Sequence, residues 1–246
     1  MTYGNNATAV MGNNATAIMG NNALYESYIA YQPSMADKLF GLQNVIASTV
    51  ADLVEFRDNS TGWHVSRTPR YLQALVEQLR EEGVYLEELL SWNMEVILPS
   101  AQLHDVGKIS ISDTILKKPG KLTPEEFEIM KTHAQRGVEA IDRMKRFGIF
   151  ADFLGHAKTI AGTHHEKWDG SGYPRGLMGN NIPLEGRIMA IADVYEALIS
   201  VRPYKEAFPA EEAARIIIEG SGTHFDPAIV AVFRKITAVF AAISKY

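Results

Sequence analysis

The segment Leu103-His104-Asp105-Val106-Gly107-Lys108-Ile109 combines three side chains suited to metal and phosphate chemistry. Lys108 follows His104 by four residues and Asp105 by three, so all three can share one edge of a helix. Adjacent His and Asp offer one nitrogen and two oxygens to a cation, and a carboxylate can bridge two cations. Taken alone, the segment fits either a metal site or a helix end with a capping Asp and a solvated Lys.

A second group of polar side chains lies in residues 164–177. His164 and His165 are adjacent at a predicted helix end, where histidines are rarely packing residues. The glycine-rich loop that follows allows the backbone to approach a ligand closely. Within that loop, Tyr173 and Arg175 supply a ring, a hydroxyl and a positive charge.

Asp193 lies in the middle of residues 188–199, a nearly apolar helical stretch. A carboxylate in that position cannot cap a helix, and burying it without a partner would be costly, so metal ligation is one way to satisfy it. Two cations, Arg202 and Lys205, follow shortly after. Position in the sequence, taken alone, favours structural roles for His64, His156 and His224.

Helices are expected to position these groups. Apolar periodicity predicts a helix from residue 64 to about 82 and further helix through residues 85–109. Thr123 and Glu126 form a capping box for the helix that reaches His133. Asp226 is expected to cap a final helix.

Composition excludes several classes of site. The chain has 246 residues, 46% hydrophobic and 22% charged, which is ordinary for a soluble globular protein. Because it contains no Cys, any metal must be held by nitrogen and oxygen. The net charge of −5 argues against a broad DNA- or RNA-binding face but not against a small phosphate ligand. No apolar run approaches ~18 residues and no export leader is recognisable, so we expect a cytoplasmic protein without a membrane segment.

The chain is expected to consist of a flexible leader, residues 1–33, and one domain, residues 34–246. The leader repeats Gly-Asn-Asn-Ala with a period of eight residues, and such small polar side chains cannot bury enough area to offset ordering. The domain begins with a helix over residues 34–57. We expect its apolar seam to pack onto the same domain, with a homodimer or a signalling partner as the alternative. The seam consists of Leu39, Leu42, Ile46, Leu53 and Phe56.

Together these motifs resemble the HD-GYP family, a branch of the HD superfamily of metal-dependent phosphohydrolases. The resemblance extends from about Leu53 to Phe233. It rests on Arg57-Asp58, Thr61-Gly62-Trp63-His64-Val65-Ser66-Arg67, His104-Asp105-Val106-Gly107-Lys108, His133, His164-His165-Glu166, Gly172-Tyr173-Pro174, Ala192-Asp193 and Arg202-Pro203-Tyr204-Lys205. The resemblance implies an all-α, compact helical HD-type domain. The glycine-rich loop that contains Gly172-Tyr173-Pro174, called the GYP loop, would lie at the active-site cleft. The resemblance also implies hydrolysis of cyclic di-GMP to pGpG, in some members onward to GMP.

The resemblance implies at least two divalent metal ions and a role for each site residue. One ion would be held by His64, His104, Asp105 and Asp193. Asp105 would bridge to a second ion held by His133, His164 and His165. Lys108 and Asp105 would be catalytic, with Lys108 near a bridging water and the attacked phosphate, while Tyr173, Arg202 and Lys205 would bind the dinucleotide. The mixed nitrogen and oxygen donors suit iron or manganese, with zinc or nickel as alternatives.

Ser60 bears on the number of metals, and two alternative functions fit the same residues. Some family members carry a Glu that helps to hold a third metal where this chain has Ser60, so we expect two metals and accumulation of pGpG. An HD-type enzyme acting on another nucleotide or cyclic dinucleotide is one alternative function. A non-catalytic cyclic di-GMP sensor is another, although such sensors usually lose metal ligands that this chain retains.

Overall fold

The computed structural model describes residues 34–58, 64–146, 148, 150–201 and 206–245, without the side chains of His64 and Val65. Internal contacts divide the chain after Leu42, and the candidate site belongs to the unit that begins at Gln43.

In the described ranges the regular structure is helical apart from one bridge between Ser221 and Phe225, which confirms the predicted all-α fold. The α-helices are α1 (Met35–Arg57), α2 (His64–Glu81), α3 (Leu86–Leu90), α4 (Met94–Ala101), α5 (Asp113–Leu116), α6 (Pro124–Lys145), α7 (Ala151–Ala161), α8 (Leu184–Ile199), α9 (Ala210–Glu219), α10 (Pro227–Phe233) and α11 (Thr237–Ile243). Two 3₁₀ helices cover Val106–Ser110 and Gly179–Asn181.

Helix α8 lies within the main hydrophobic core. It packs against α2, α7 and α9, and α2 packs in turn against α4, α10 and α11. Apolar side chains occur on every face of α8, as expected for a helix that is surrounded by other helices. The buried ones include Ile188, Met189, Ile191 and Tyr195. The polar Asp193 is therefore positioned by a helix that is largely buried.

A second, smaller core supports the His104-Asp105 segment. Its side chains include Leu103, Val106, Ile141, Phe153 and Ala157. The 3₁₀ helix Val106–Ser110 lies directly on α6, and Gly107 makes this approach feasible. A Cβ at Gly107 would lie 1.9 Å from the carbonyl oxygen of His133, so a larger residue would force the two elements apart. This close contact brings the residues around position 105 next to α6.

The predicted starts of α2 and α6 agree with the structure, whereas the division of residues 85–109 into separate helices was not predicted. The predicted helix from residue 64 is α2, and the capping box of α6 is confirmed, because Thr123 and Glu126 each accept a hydrogen bond from the other's backbone N–H. The further helix predicted through residues 85–109 is present, but it is divided into α3, α4 and the 3₁₀ helix Val106–Ser110. The Asn93 side chain accepts from the N–H of Glu95 and starts α4 as a separate helix. Asp226 caps α10 as predicted, but α11 follows, so α10 is not the final helix.

The predicted packing of the α1 seam is also wrong. All five seam residues are exposed to solvent, Phe56 by 85%. Within the unit that begins at Gln43, α1 instead buries Ala47, Ala51 and Val54. Small side chains allow a closer approach between helices than the bulky seam would, and apolar spacing alone does not show which face is used.

In the described part of the chain, α1 is the one helix long and apolar enough to cross a membrane, judged by length and composition alone. A helix that packs against its own domain can pass the same test. The expected lack of a membrane segment therefore stays a prediction.

Candidate metal centre

The two carboxylate oxygens of Asp105 face different histidines. Oδ2 lies 3.3 Å from Nε2 of His104, whereas Oδ1 lies 3.3 Å from Nε2 of His133 and 3.8 Å from Nε2 of His164. One ligand atom from each of Asp105, His133, His164 and His165 falls within 4.8 Å of the others. This arrangement is compact enough to hold a metal ion.

On the other side of Asp105, His104 approaches the buried α8 helix. Its Nε2 lies 3.8 Å from Oδ1 of Asp193. His64 begins α2, but its side chain lies outside the described residues. The structure therefore brings together every predicted metal ligand whose side chain it describes, in two groups that share Asp105.

Backbone carbonyls fix the orientation of three of these imidazoles. Nδ1 of His104, His133 and His164 lies within hydrogen-bonding distance of a carbonyl from the preceding turn. The carbonyls belong to Ala101, Met130 and Ile160, at 2.8, 2.7 and 3.0 Å. Because a carbonyl can only accept, Nδ1 carries the proton, and in the neutral ring the lone pair lies on Nε2. In each of these residues Nε2 is the nitrogen that faces Asp105.

Three buried atoms at this centre fit a bound cation. Within the described ranges, Oδ1 of Asp105 and Nε2 of His133 and His164 have no hydrogen-bond partner. Leaving buried polar atoms unsatisfied is costly, and one cation would satisfy all three. Nitrogen and carboxylate oxygen together suit a first-row transition metal.

The pKa shifts favour the protonation states that bind metals. Burial lowers the pKa of His164 to about 4 and holds the pKa of His165 well below its usual value, which keeps both rings neutral. Burial also raises the pKa of the Asp105 carboxyl, but Lys108 and His104 outweigh it and hold that pKa well below its usual value. For His104, burial lowers the pKa, but Asp105 and Asp193 outweigh it and raise the pKa overall. This last shift belongs to the metal-free centre.

Lys108 lies at the edge of the centre between two carboxylates. Its Nζ is 2.8 Å from Asp105 and 2.7 Å from Asp58. Burial disfavours its charge, but the two carboxylates prevail and raise the pKa of Lys108 well above its ordinary value. The ammonium group is therefore charged at neutral pH. The sequence placed Asp58 in a family motif without assigning it a role.

Arg57 holds the segment that carries Lys108 against the end of α1. Its guanidinium donates to the carbonyls of Ile109 and Ile111 and pairs with Asp113 at 2.6 Å. The end of α1 is thereby tied to the 3₁₀ helix that follows Asp105.

Glu166 anchors the GYP loop, a role that the sequence did not reveal. This buried carboxylate accepts hydrogen bonds from the backbone N–H groups of Arg175 and Leu177, both at 2.9 Å. Gly172 passes close to the Glu166 backbone, because a Cβ there would lie 2.6 Å from the Cα of Glu166. As a result, Tyr173 donates its N–H to the His165 carbonyl at 3.1 Å and packs its ring 4.7 Å from that imidazole.

Of the three histidines whose position in the sequence favoured structural roles, His156 and His224 lie outside the metal-binding group, and the side chain of His64 is not described. His156 contacts Glu185 at 3.1 Å and lies edge-on to Trp92. His224 stacks on Phe225 at 4.2 Å, and its carbonyl accepts from the N–H of Trp168 in the loop. Both contacts agree with packing roles.

A cleft of about 540 Å³ opens beside the centre. The residues that line it include His104, Asp105, Lys108, His133, His165, Tyr173 and Asp193 of the candidate site, together with Lys117, Lys118, Lys121, Leu122 and Phe127. The volume is within the range of pockets that bind small ligands. The other two predicted substrate contacts, Arg202 and Lys205, lie outside the described residues.

Comparison with known proteins identifies a matching family model and relatives that are named as phosphodiesterases. The family model described as HD domain matches residues 49–229. A protein of Vibrio cholerae named cyclic di-GMP phosphodiesterase is 48% identical over 219 residues, covering 86% of this chain and 44% of that protein. Another Vibrio cholerae protein, named 3'3'-cGAMP-specific phosphodiesterase 2, is 43% identical over 181 residues, covering 74% of this chain and 32% of that protein. The chain thus spans less than half the length of these relatives.

Among solved structures, the fold resembles that of Bd1817, a HDG"Y"P protein from Bdellovibrio bacteriovorus. The TM-score is 0.52 with 18% sequence identity, and the match covers 81% of this chain and 64% of that one. At this level of identity the similarity concerns the fold alone.

Proposed function

The chain belongs to the HD domain family, as its motifs predicted, and we propose that it is a phosphodiesterase that hydrolyses cyclic di-GMP to the linear dinucleotide pGpG. The observation that carries this proposal is the position of Asp105, whose two oxygens face separate sets of imidazoles. The name of the 48% identical relative supports the choice of substrate.

In this proposal Asp105 would contribute ligands to two divalent ions. His64, His104 and Asp193 would complete one set of ligands, and His133, His164 and His165 would complete the other. When bound, such ions lower the pKa of an attacking water and neutralise the attacked phosphate. We propose iron or manganese, because the donors are imidazole nitrogens and carboxylate oxygens.

Side chains around the centre would act on the phosphate directly. The ammonium group of Lys108 is charged at neutral pH and lies between Asp58 and Asp105, where it would stabilise the negative charge that grows on the phosphoryl oxygens. Since its ammonium group is already oriented, little reorganisation is needed during the reaction. Arg202 and Lys205 would contribute further phosphate contacts in binding.

Tyr173 is proposed to hold the substrate. Burial, reinforced by Asp105 and Asp193, raises the pKa of its hydroxyl, so the phenol remains protonated and can donate a hydrogen bond. Its ring also offers a surface on which a guanine can stack.

A second candidate substrate is 3'3'-cGAMP. The relative named for that compound is 43% identical to this chain, only slightly less than the relative named for cyclic di-GMP. Both compounds carry two phosphodiesters on a ring, so the same centre could cleave either. A purely sensory role is disfavoured because the described metal-binding side chains are retained and converge.

We propose that the enzyme acts in the cytoplasm on this small ligand and not on DNA or RNA, in keeping with its net charge of −5. The exposed seam of α1 supports a further proposal, that a second copy or a signalling partner docks there.

Turnover by the purified protein tests the proposal. Protein loaded with Fe²⁺ or Mn²⁺ is mixed with cyclic di-GMP, and in parallel with 3'3'-cGAMP, and the products are separated by chromatography. We expect pGpG from cyclic di-GMP at a higher kcat/KM than for 3'3'-cGAMP, and no product with Asp105→Asn. Faster cleavage of 3'3'-cGAMP would favour the second candidate, and cleavage of neither would contradict both.

A further inference from the structure

The loop between α5 and α6 gives the cleft a basic wall. Lys117, Lys118, Gly120, Lys121 and Leu122 all line the same cleft as Asp105. Three lysines within five residues are notable in a protein whose net charge is −5. They form a separate group from Lys108, whose charge is already held by Asp58 and Asp105.

Neighbouring carboxylates neutralise two of these lysines and fix the loop. Lys117 pairs with Asp113 at 3.2 Å and Lys118 pairs with Glu126 at 2.5 Å. Glu126 also accepts from the N–H of Thr123 at 2.7 Å in the capping box of α6. The loop is thus attached to helices on both sides.

Lys121 differs from the other two lysines. It is exposed, and the part of the chain that the structure describes contains no carboxylate within ion-pair distance of it. Its ammonium group can therefore bind an anion in the cleft without first breaking an ion pair. Phe127, which also lines the cleft, is 47% exposed and lies edge-on to Tyr173, with ring centroids 6.4 Å apart. A cation thus lines the same cleft as two aromatic rings suited to a nucleobase.

A cyclic dinucleotide has two phosphodiesters, and only one can occupy the metal centre at a time. The other keeps its negative charge and must lie elsewhere in the cleft. We propose that Lys121 binds this second, uncleaved phosphodiester, and that this contact selects cyclic dinucleotides over simple phosphodiesters. The inference rests on the proposed function.

Steady-state kinetics with two substrates test it. For Lys121→Gln we expect KM for cyclic di-GMP to rise about fivefold with little change in kcat, as for the loss of one charged contact near solvent. Bis(p-nitrophenyl) phosphate has a single phosphodiester, so its KM should rise by a clearly smaller factor. Lys121→Arg should restore most of the affinity for cyclic di-GMP. The matched control is Lys117→Gln, whose charge is already paired with Asp113, and its KM should change less than about twofold.

Each outcome separates this inference from the proposed function. If wild-type protein hydrolyses cyclic di-GMP and Lys121→Gln has the same KM, the inference is wrong and the proposed function stands. Equal rises in KM for both substrates would also contradict it, since they would indicate a change at the metal centre. If the wild type cleaves bis(p-nitrophenyl) phosphate but neither binds nor cleaves cyclic di-GMP, the proposed function fails and the inference fails with it.

Discussion

Lys108 and Asp58 form an ion pair of 2.7 Å although fifty residues separate them in the chain. Asp58 directly follows α1, and Lys108 lies in the 3₁₀ helix after the metal-binding pair. Arg57 connects the same two elements by donating to the carbonyl of Ile109. The end of α1 therefore orients a cation that the proposed reaction uses, which gives this helix a function beyond packing.

Asp58→Asn should impair catalysis more than binding. The neutral amide no longer holds the Lys108 ammonium group in place, so we expect kcat to fall roughly 10- to 100-fold, as for a misplaced catalytic group. KM should change little, and metal content should match that of the wild type. The control is Asp113→Asn, which weakens the exposed ion pairs of Asp113 with Arg57 and Lys117 but leaves the pair between Asp58 and Lys108 in place. A lower metal content in Asp58→Asn would instead assign Asp58 to the metal centre.

Glu166→Gln should disturb the GYP loop without removing metal. The amide keeps one acceptor but turns an NH₂ group toward a backbone N–H, which costs about 1–3 kcal/mol of stability. We expect a higher KM for cyclic di-GMP, because Tyr173 loses its fixed position. The control is Asp169→Asn, which lies in the same loop and keeps an acceptor for Ser171.

A double-mutant cycle separates positioning from general destabilisation. If Glu166 acts through Tyr173, adding Glu166→Gln to Tyr173→Ala should raise KM little further. Fully additive effects on KM would show that Glu166 does not act through Tyr173.

Asp105→Asn should deplete both metal ions and abolish turnover, because both proposed ligand sets share its carboxylate. Single substitutions His156→Ala and His224→Ala should keep metal content, since neither ring belongs to the convergent group. Elemental analysis of anaerobically purified proteins measures this directly. Full metal content in Asp105→Asn would contradict the bridging role.

The predicted number of metals rests on Ser60, which lies outside the described residues. A neutral hydroxyl is a poorer ligand than a carboxylate, and a third dication would be repelled by the other two. We expect about two ions per chain, accumulation of pGpG, and a gain of metal in Ser60→Glu. Three tightly held ions in the unmodified protein would show that the prediction is wrong.

The sequence predicted those parts of the fold that depend on local chemistry. The capping box of Thr123 and Glu126 and the cap at Asp226 follow from residue types at fixed spacing, and both are present.

Features that depend on contacts across the chain could not be predicted in this way. The seam of α1 was assigned to the core because its spacing is helical, but spacing does not show which face meets the core. The roles of Asp58 and Glu166 depend on partners at Lys108 and in the GYP loop, and no local pattern reveals such pairs. Predicting them requires the arrangement of the elements in space.

Acid should destabilise the metal-free protein through its buried histidines. Burial, with Lys167 nearby, lowers the pKa of His224 to about 4, and burial also lowers that of His164 to about 4. In the unfolded chain a histidine titrates near 6.5, so between about pH 6.5 and 4 the unfolded state binds more protons. The free energy of unfolding should therefore fall as the pH falls through this range. The raised pKa of His104 acts in the opposite direction, but fewer histidines shift that way.

His224 allows this prediction to be tested outside the metal-binding group. Urea unfolding of chelator-treated wild type and His224→Asn at about pH 7 and about pH 5 gives the pH-dependent loss of stability for each. Removing one histidine with a lowered pKa should make the loss smaller in the variant, while its stability at pH 7 reports any cost of lost packing on Phe225. An equal loss in the two proteins would mean that His224 titrates normally in the folded state. The acid sensitivity would then come from other groups, among them the histidines around Asp105.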